Sequence, residues 1–168
     1  MALNGEISNI LESSENRGWV FEPDAKTIFS RAGLCVPEFR FAKTLDEAMK
    51  GAAAIGYPLA AKIVSPKALH KSDVGGVAVG LENDDQLRGV FERFSRFEEF
   101  VGVHIEAMAE GLELIVGAKI DPQFGPVILM GIGGTSVEIY QDTAIRLPPL
   151  TPGDVQSMVD SLKARRLL

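Results

Sequence analysis

The spacing of apolar and polar positions changes period several times along this chain, and each change marks an element. Asn4–Arg17 carries Ile7, Ile10 and Leu11 at helical spacing among Ser, Asn and Glu, which predicts a short, loosely attached helix. A second helix opens at Pro23, with Ala25, Ile28, Phe29 and Ala32 on one face and Gly33 placed to stop it. Val36–Phe41 reads as a strand that Pro37 confines to an edge or a strand start. Thr44-Leu45-Asp46-Glu47 is a capping box, and the stripe Leu45, Ala48, Met49, Ala52, Ala53 behind it predicts a buried helix face. Leu59–Val64 is an apolar strand interrupted by Lys62, and Val77–Gly80 reads as the strand returning beside it. Asn83–Gln86 caps a helix whose stripe is Leu87, Val90, Phe91 and Phe94.

Three strands follow: Val101–Ala107, Glu113–Ile120 and Pro126–Met130. The first two are expected to pair antiparallel through the link Glu106–Gly111, and Asp121–Gly125 forms the turn into the third. In Val101–Glu106, Val103 and Ile105 face one way while Gly102, His104 and Glu106 face the other. Gly131–Gly134 is a glycine-rich loop, Thr135–Tyr140 and Thr143–Leu147 suggest a hairpin, and a last helix begins at Thr151-Pro152 with Val155, Met158, Val159 and Leu162 inside. The pattern is mixed α+β, without repeats or flexible linkers.

Composition narrows the function classes. With 168 residues, 46% of them hydrophobic and 24% charged, the chain suits one domain or two small lobes sharing a cleft. A net charge of -6 argues against a nucleic-acid surface but not against a polyanionic small molecule, which a local lysine cluster can bind. No apolar run approaches membrane-spanning length and the N-terminus lacks a signal-peptide pattern, so a cytoplasmic protein is expected, with neither membrane nor nucleic-acid partner. The lone Cys35, between Leu34 and Val36, is expected to be a small core residue.

Candidate chemistry concentrates in Tyr57–Leu81. A lysine inside an apolar strand calls for an anionic partner, because a lone buried ammonium costs several kcal/mol. Beyond Lys62 lies a polar loop, Ser65–Asp73, holding His70, Lys71 and Ser72, then Gly75-Gly76. A strand lysine facing such a loop can cradle a polyphosphate, while a hairpin whose lysine reaches solvent fits the same residues. Glu106 and Glu113, at either end of the link that contains Met108, could bind ribose hydroxyls while link backbone groups bind adenine. Equally, they could be solvated strand-end charges.

The runs AAKIVSPKALHKSDVGGVAVGL and VHIEAMAEGLELIVGAKIDPQFGPVILMGIGGTSVEIYQDTAIRLPPLTP closely resemble the ATP-grasp domain of ADP-forming acyl-CoA synthetases, the acetate–CoA ligases. More distantly they resemble the β-subunit of succinyl-CoA synthetase. The resemblance covers roughly Phe21 to the C-terminus. It implies an ATP-grasp fold of two small α/β lobes with antiparallel sheets around a nucleotide cleft: an extension over 1–20, one lobe over 21–100 and an incomplete second lobe over 101–168.

By this resemblance Lys62 contacts nucleotide phosphates, and His70 is transiently phosphorylated while relaying phosphate to ADP. Lys71, Ser72, Gly75 and Gly76 form the phosphate loop, and Glu106, Met108 and Glu113 lie at adenine and ribose. Gly133, Gly134 and Glu138 form a second loop near phosphoryl transfer. Strands bearing Glu106 and Glu113 are expected to flank a cleft against the Lys62 strand. ATP or ADP and Mg²⁺ are the implied cofactors, and a CoA-binding subunit or fused domain the implied partner. The family's acidic Mg²⁺-binding segment has no counterpart before Leu168, so its ligands are expected beyond this sequence; Asp121, Glu138 and Asp142 are weak substitutes. The chain alone is expected to be inactive. The competing expectation is a non-catalytic ATP-grasp-like binding domain, as in bacterial protein acetyltransferase fusions.

Overall fold

The computed structural model describes residues 4–134 and 142–168, and the chain divides into two compact units, Met1–Ala109 and Glu110–Leu168. In the first unit, α1 (Gly5–Ser14) and α2 (Glu22–Arg31) precede β1 (Phe39–Ala42), α3 (Leu45–Ile55), β2 (Leu59–Val64), β3 (Val77–Leu81), α4 (Asp84–Phe94) and β4 (Gly102–Ala107). The four strands form one antiparallel sheet in the order β1-β4-β2-β3.

Local chemistry sets the helix starts. Thr44 Oγ1 accepts the Glu47 N–H while the Glu47 carboxylate accepts the Lys43 and Thr44 N–H groups, completing the capping box of α3. The Asn83 side chain caps α4 by accepting from Gln86 N–H at 3.0 Å. Both helices pack on one face of the sheet. There Ala48, Ala52, Leu87, Phe91 and Phe94 meet Ala61, Ile63, Val103 and Ile105 in a single apolar core.

Three expectations are corrected. Strand β4 does not pair with the strand after it; it lies between β1 and β2, with Arg40 opposite Ile105 and Lys62 opposite His104. It is hydrogen-bonded along both edges, to β1 and to β2, and its residues from Gly102 to Glu106 are buried on both faces of the sheet. Gly102 lets β4 close on β1, since a Cβ there would sit 2.6 Å from the Ala42 carbonyl oxygen. The first unit therefore runs to Ala109 and includes this strand. Cys35 is exposed, because Leu34–Glu38 is an irregular connector with no periodic face to bury, and the strand begins only at Phe39. Helix α2 does not bury the predicted apolar face either. Phe29 is exposed, and Pro23 is its one fully buried residue.

The second unit contains β5 (Leu114–Asp121), β6 (Gly125–Ile132), β7 (Thr143–Arg146) and α5 (Pro152–Ser161). Its antiparallel sheet has the order β5-β6-β7. Strands β5 and β6 are joined by the tight Asp121–Gly125 turn, in which the Asp121 carboxylate accepts the Gln123 and Phe124 N–H groups. Hairpin closure over so few residues is the local alternative that wins β5 from β4. Met158 of α5 and Leu162 just after it pack with Ala144 in a small core. The strand expected over Thr135–Tyr140 lies outside the described residues.

Candidate functional site

The face of the first sheet opposite the apolar core carries charge. Antiparallel register sets Lys62 of β2 directly across from His104 of β4, and Ala60 across from Glu106, so Lys62, His104 and Glu106 share this face. Glu22 and Lys26, one turn apart on α2, reach the same place. The result is a chain of alternating charges. Lys71 pairs with Glu22 Oε2, and Lys62 Nζ lies 2.6 Å from Glu22 Oε1 and 2.7 Å from Glu106 Oε1. Lys26 pairs with Glu106 Oε2, and His104 Nε2 stands 3.2 Å from that same oxygen. His104 is fully buried against the Phe39 ring, and its Nδ1 has no hydrogen-bond partner among the described residues.

These contacts set the protonation states. Burial alone would raise the Glu106 carboxyl, but hydrogen bonds from His104, Lys26 and Lys62 outweigh it and hold the group far below the usual carboxylate range. Burial likewise opposes ionisation of Glu22, and hydrogen bonds from Lys62 and Lys71 reverse that, leaving it lowered. Lys62 is pulled down by burial and pushed further up by Glu106 and Glu22, so it stays an ammonium. Glu22, Glu106 and Lys62 are thus charged together.

The polar loop between β2 and β3 is pinned at its base. Ser65 is buried; its hydroxyl donates to the Glu98 carbonyl at 2.8 Å and accepts the Lys67 N–H at 3.0 Å. At the far end Gly76 N–H bonds the Lys71 carbonyl at 2.7 Å. Gly76 is needed because a Cβ would lie 2.5 Å from Ile63 Cγ2, and Gly75 because its φ is +66°. Between these anchors His70 and Ser72 are exposed, and with Glu22, Lys62, Leu69, Lys71 and Asp73 they line an open cavity of about 480 Å³.

The structure therefore gathers Lys62, His70, Lys71 and Ser72 around one cavity and supports it with Gly75 and Gly76. Glu106 pairs with Lys62, with both carboxylate oxygens engaged and a side chain only 9% exposed. Met108 follows β4 and is exposed. Glu113, Gly133 and Gly134 belong to the second unit. There Gly133 N–H bonds the Glu113 carbonyl at 2.6 Å, and a Cβ on Gly133 would meet Glu113 backbone at 2.9 Å. Glu138 lies outside the described residues. Sequence reasoning missed Glu22 and Lys26. The signal for an anion was present, since Lys62 demanded one, but nothing in the sequence tied it to a helix forty residues upstream.

Among the described residues one cluster, Glu22, His104 and Glu106, brings three ligating atoms within 4.8 Å of one another. It does not suit a dication. All four of its carboxylate oxygens are held by lysines, and three ammonium groups would repel the ion. Asp121 is spent on its turn, and Asp142 accepts the Lys163 and Ala164 N–H groups at 2.8 Å each. Neither offers an open metal site.

A sheet with a phosphate-type loop between two of its strands, followed along the chain by a second antiparallel unit, is the element pattern of an ATP-grasp domain. The ATP-grasp domain family matches residues 12–168, and the chain belongs to it. It is 42% identical over 163 residues to the β-subunit of acetate–CoA ligase (ADP-forming) I of Pyrococcus furiosus, covering 92% of this chain and 70% of that subunit. It is 39% identical over 169 residues to acetate–CoA ligase (ADP-forming) I of Archaeoglobus fulgidus, covering 96% of this chain but 24% of that longer protein. The relatives thus include a separate subunit and a longer single chain. A solved structure of Ca. Korarchaeum cryptofilum dinucleotide forming acetyl-coenzyme A synthetase 1 superposes with a TM-score of 0.80 at 36% identity, covering 96% of this chain and 73% of that one. It is described as in complex with coenzyme A and Mg-AMPPCP, its phosphohistidine segment pointing towards the nucleotide binding site.

Proposed function

We propose that this chain is the nucleotide-binding module of an ADP-forming acyl-CoA synthetase, acting in the cytoplasm with a CoA-binding subunit or fused domain. The observation that carries the reading is the convergence of Lys62, Lys71, Ser72 and His70 on one open cavity in an ATP-grasp chain. Lys62 and Lys71 are fixed ammonium groups suited to nucleotide phosphates, and Ser72 adds a hydroxyl donor. Met108 and Glu113 are the adenine and ribose contacts of this reading, with Gly133, Gly134 and Glu138 near the transferring phosphate. Glu106 acts from behind, aiming Lys62.

His70 is the relay. Its neutral imidazole is a nucleophile near neutral pH, and its exposure lets it face two sites in turn. In the ATP-forming direction, imidazole nitrogen attacks the phosphorus of an acyl phosphate and the carboxylate leaves. An oxygen of the ADP β-phosphate then attacks that phosphorus, the N–P bond breaks, and the imidazole is regenerated. Lys71 and the loop N–H groups stabilise the charge on the passing phosphoryl oxygens. Magnesium on the nucleotide would supply further charge neutralisation, through ligands other than the Glu22–His104–Glu106 cluster. A non-catalytic module is not favoured, since the relatives are named as ligases.

The test is phosphate labelling. The protein, mixed with a CoA-binding partner subunit, acyl-CoA and labelled phosphate, acquires an acid-labile, base-stable label; His70→Asn abolishes it while ADP still binds. Label that persists in His70→Asn and vanishes in His104→Asn would assign the relay to the wrong histidine.

A further inference from the structure

Glu22 stands where a ligand should. Its two carboxylate oxygens are divided between the two lysines of the candidate phosphate site, Oε1 on Lys62 and Oε2 on Lys71, as two oxygens of a phosphate would be. It lines the open cavity together with His70 and Ser72, whereas the other anion of the cluster, Glu106, does not. The two glutamates also differ in how tightly they are held. Glu106 is gripped by Lys26, Lys62 and His104. Glu22 is bound only by the two lysines and sits on the first turn of α2, a helix whose start has no side-chain cap and whose body buries little apolar surface. Asp73, the remaining acid at the cavity, forms no ion pair among the described residues.

We propose that Glu22 is an internal anion that occupies the Lys62–Lys71 pair while no nucleotide is bound, and that a polyphosphate enters by exchanging with its carboxylate. The proposal rests on the nucleotide reading of this cavity. Its physical basis is charge balance. With Glu22 seated, three lysines face two glutamates; with Glu22 withdrawn, three lysines face Glu106 alone, and the site gains a full positive charge at the moment it must hold phosphate. A single phosphate offers the two lysines no more bonds than the Glu22 carboxylate it displaces, whereas a di- or triphosphate brings additional negative charge to them. The first turn of α2 then favours nucleoside di- and triphosphates, and it keeps the lysines ordered between turnovers.

The test is calorimetric titration of the full 168-residue chain with inorganic pyrophosphate and with ADP, in EDTA so that no metal contributes. Glu22→Gln keeps the shape of the side chain and removes the competing charge, so it is expected to bind both ligands about tenfold more tightly, the scale of one lost charge-assisted competitor. Asp24→Asn removes a negative charge from the same helical turn without touching either lysine, and is expected to change affinity by less than about twofold. Glu22→Asp withdraws the carboxylate by one methylene and must shift affinity in the same direction as Glu22→Gln, which keeps the test open if that variant folds poorly. Equal or weaker binding by Glu22→Gln, with ADP still bound by the wild type, overturns the exchange and leaves the nucleotide reading standing. If ADP binds none of these proteins, the nucleotide reading falls and the exchange falls with it.

Discussion

The two faces of the β1-β4-β2-β3 sheet are built from alternate residues of the same strands, yet they obey opposite rules. Ile63, Val103 and Ile105 point into an apolar core closed by α3 and α4, where stabilisation scales with area removed from water. Lys62, His104 and Glu106, their immediate neighbours in sequence, lie on the other face, where ion pairs and charge-assisted hydrogen bonds link them to one another and to α2. The core face tolerates conservative change and has one job. The ionic face is costly to assemble, since each desolvated charge needs a partner. Back-to-back placement lets a rigid apolar layer hold the lysines in position without contributing a polar atom to the site.

The largest effect should come from removing the hub of the ionic face. Glu106→Ala leaves Lys26, Lys62 and His104 without their shared anion, and urea unfolding is expected to show a loss of about 3 kcal/mol. That is the low end for a buried pair, because Lys26 and Lys62 keep 17% and 23% of their surface and Lys62 keeps Glu22. A loss below about 1 kcal/mol would make the cluster a surface feature and collapse the contrast between the faces.

Next in size, Lys62→Ala is expected to weaken ADP binding by about 2 kcal/mol, the scale of a charge-assisted contact. Calorimetry giving equal affinities would remove Lys62 from the site. The matching change on the other face, Ile105→Val, deletes one buried methylene and should cost about 1 kcal/mol of stability while leaving ADP affinity unchanged. If it altered binding as much as Lys62→Ala, the faces would not be separable.

The smallest effect is on pH dependence. Glu22 and Glu106 have folded pKa values below the usual 4.5, so their contribution to stability is present above that value and is lost as pH falls through the folded ones. Lys62 is raised above 10.5, so its contribution is present below that and is lost as pH rises through the folded value. Thermal melts should therefore fall off on the acid side below about pH 4.5, and Glu106→Gln should flatten that limb and, by removing one of the two carboxylates that raise Lys62, weaken any alkaline limb as well. An acid limb unchanged in Glu106→Gln would place the acid-sensitive groups elsewhere.

Much of this was written into local patterns. The capping box at Thr44, the N-cap at Asn83, the Leu59–Val64 strand and the alternation of β4 all follow from short-range rules, and the structure reproduces them because a cap or a two-residue period needs no distant partner. Motif resemblance singled out Lys62, His70, Lys71 and Ser72, and the structure sets these residues around one cavity. Where the sequence misled, the reason was non-local. Cys35 has apolar neighbours but no element to carry them inward.

What the sequence determined by itself was therefore the inventory: which segments become helices or strands, which face of each is apolar, that Lys62 must find an anion, and the family to which the chain belongs. Tertiary structure alone decided the partners. It took β4 from β5 and set it between β1 and β2, because hairpin closure claims β5 while β1 and β2 bond both edges of β4. It also chose Glu22 and Glu106 to answer Lys62, residues forty-odd positions away on either side. Ion-pair geometry depends on distances in space that no periodicity along the chain encodes.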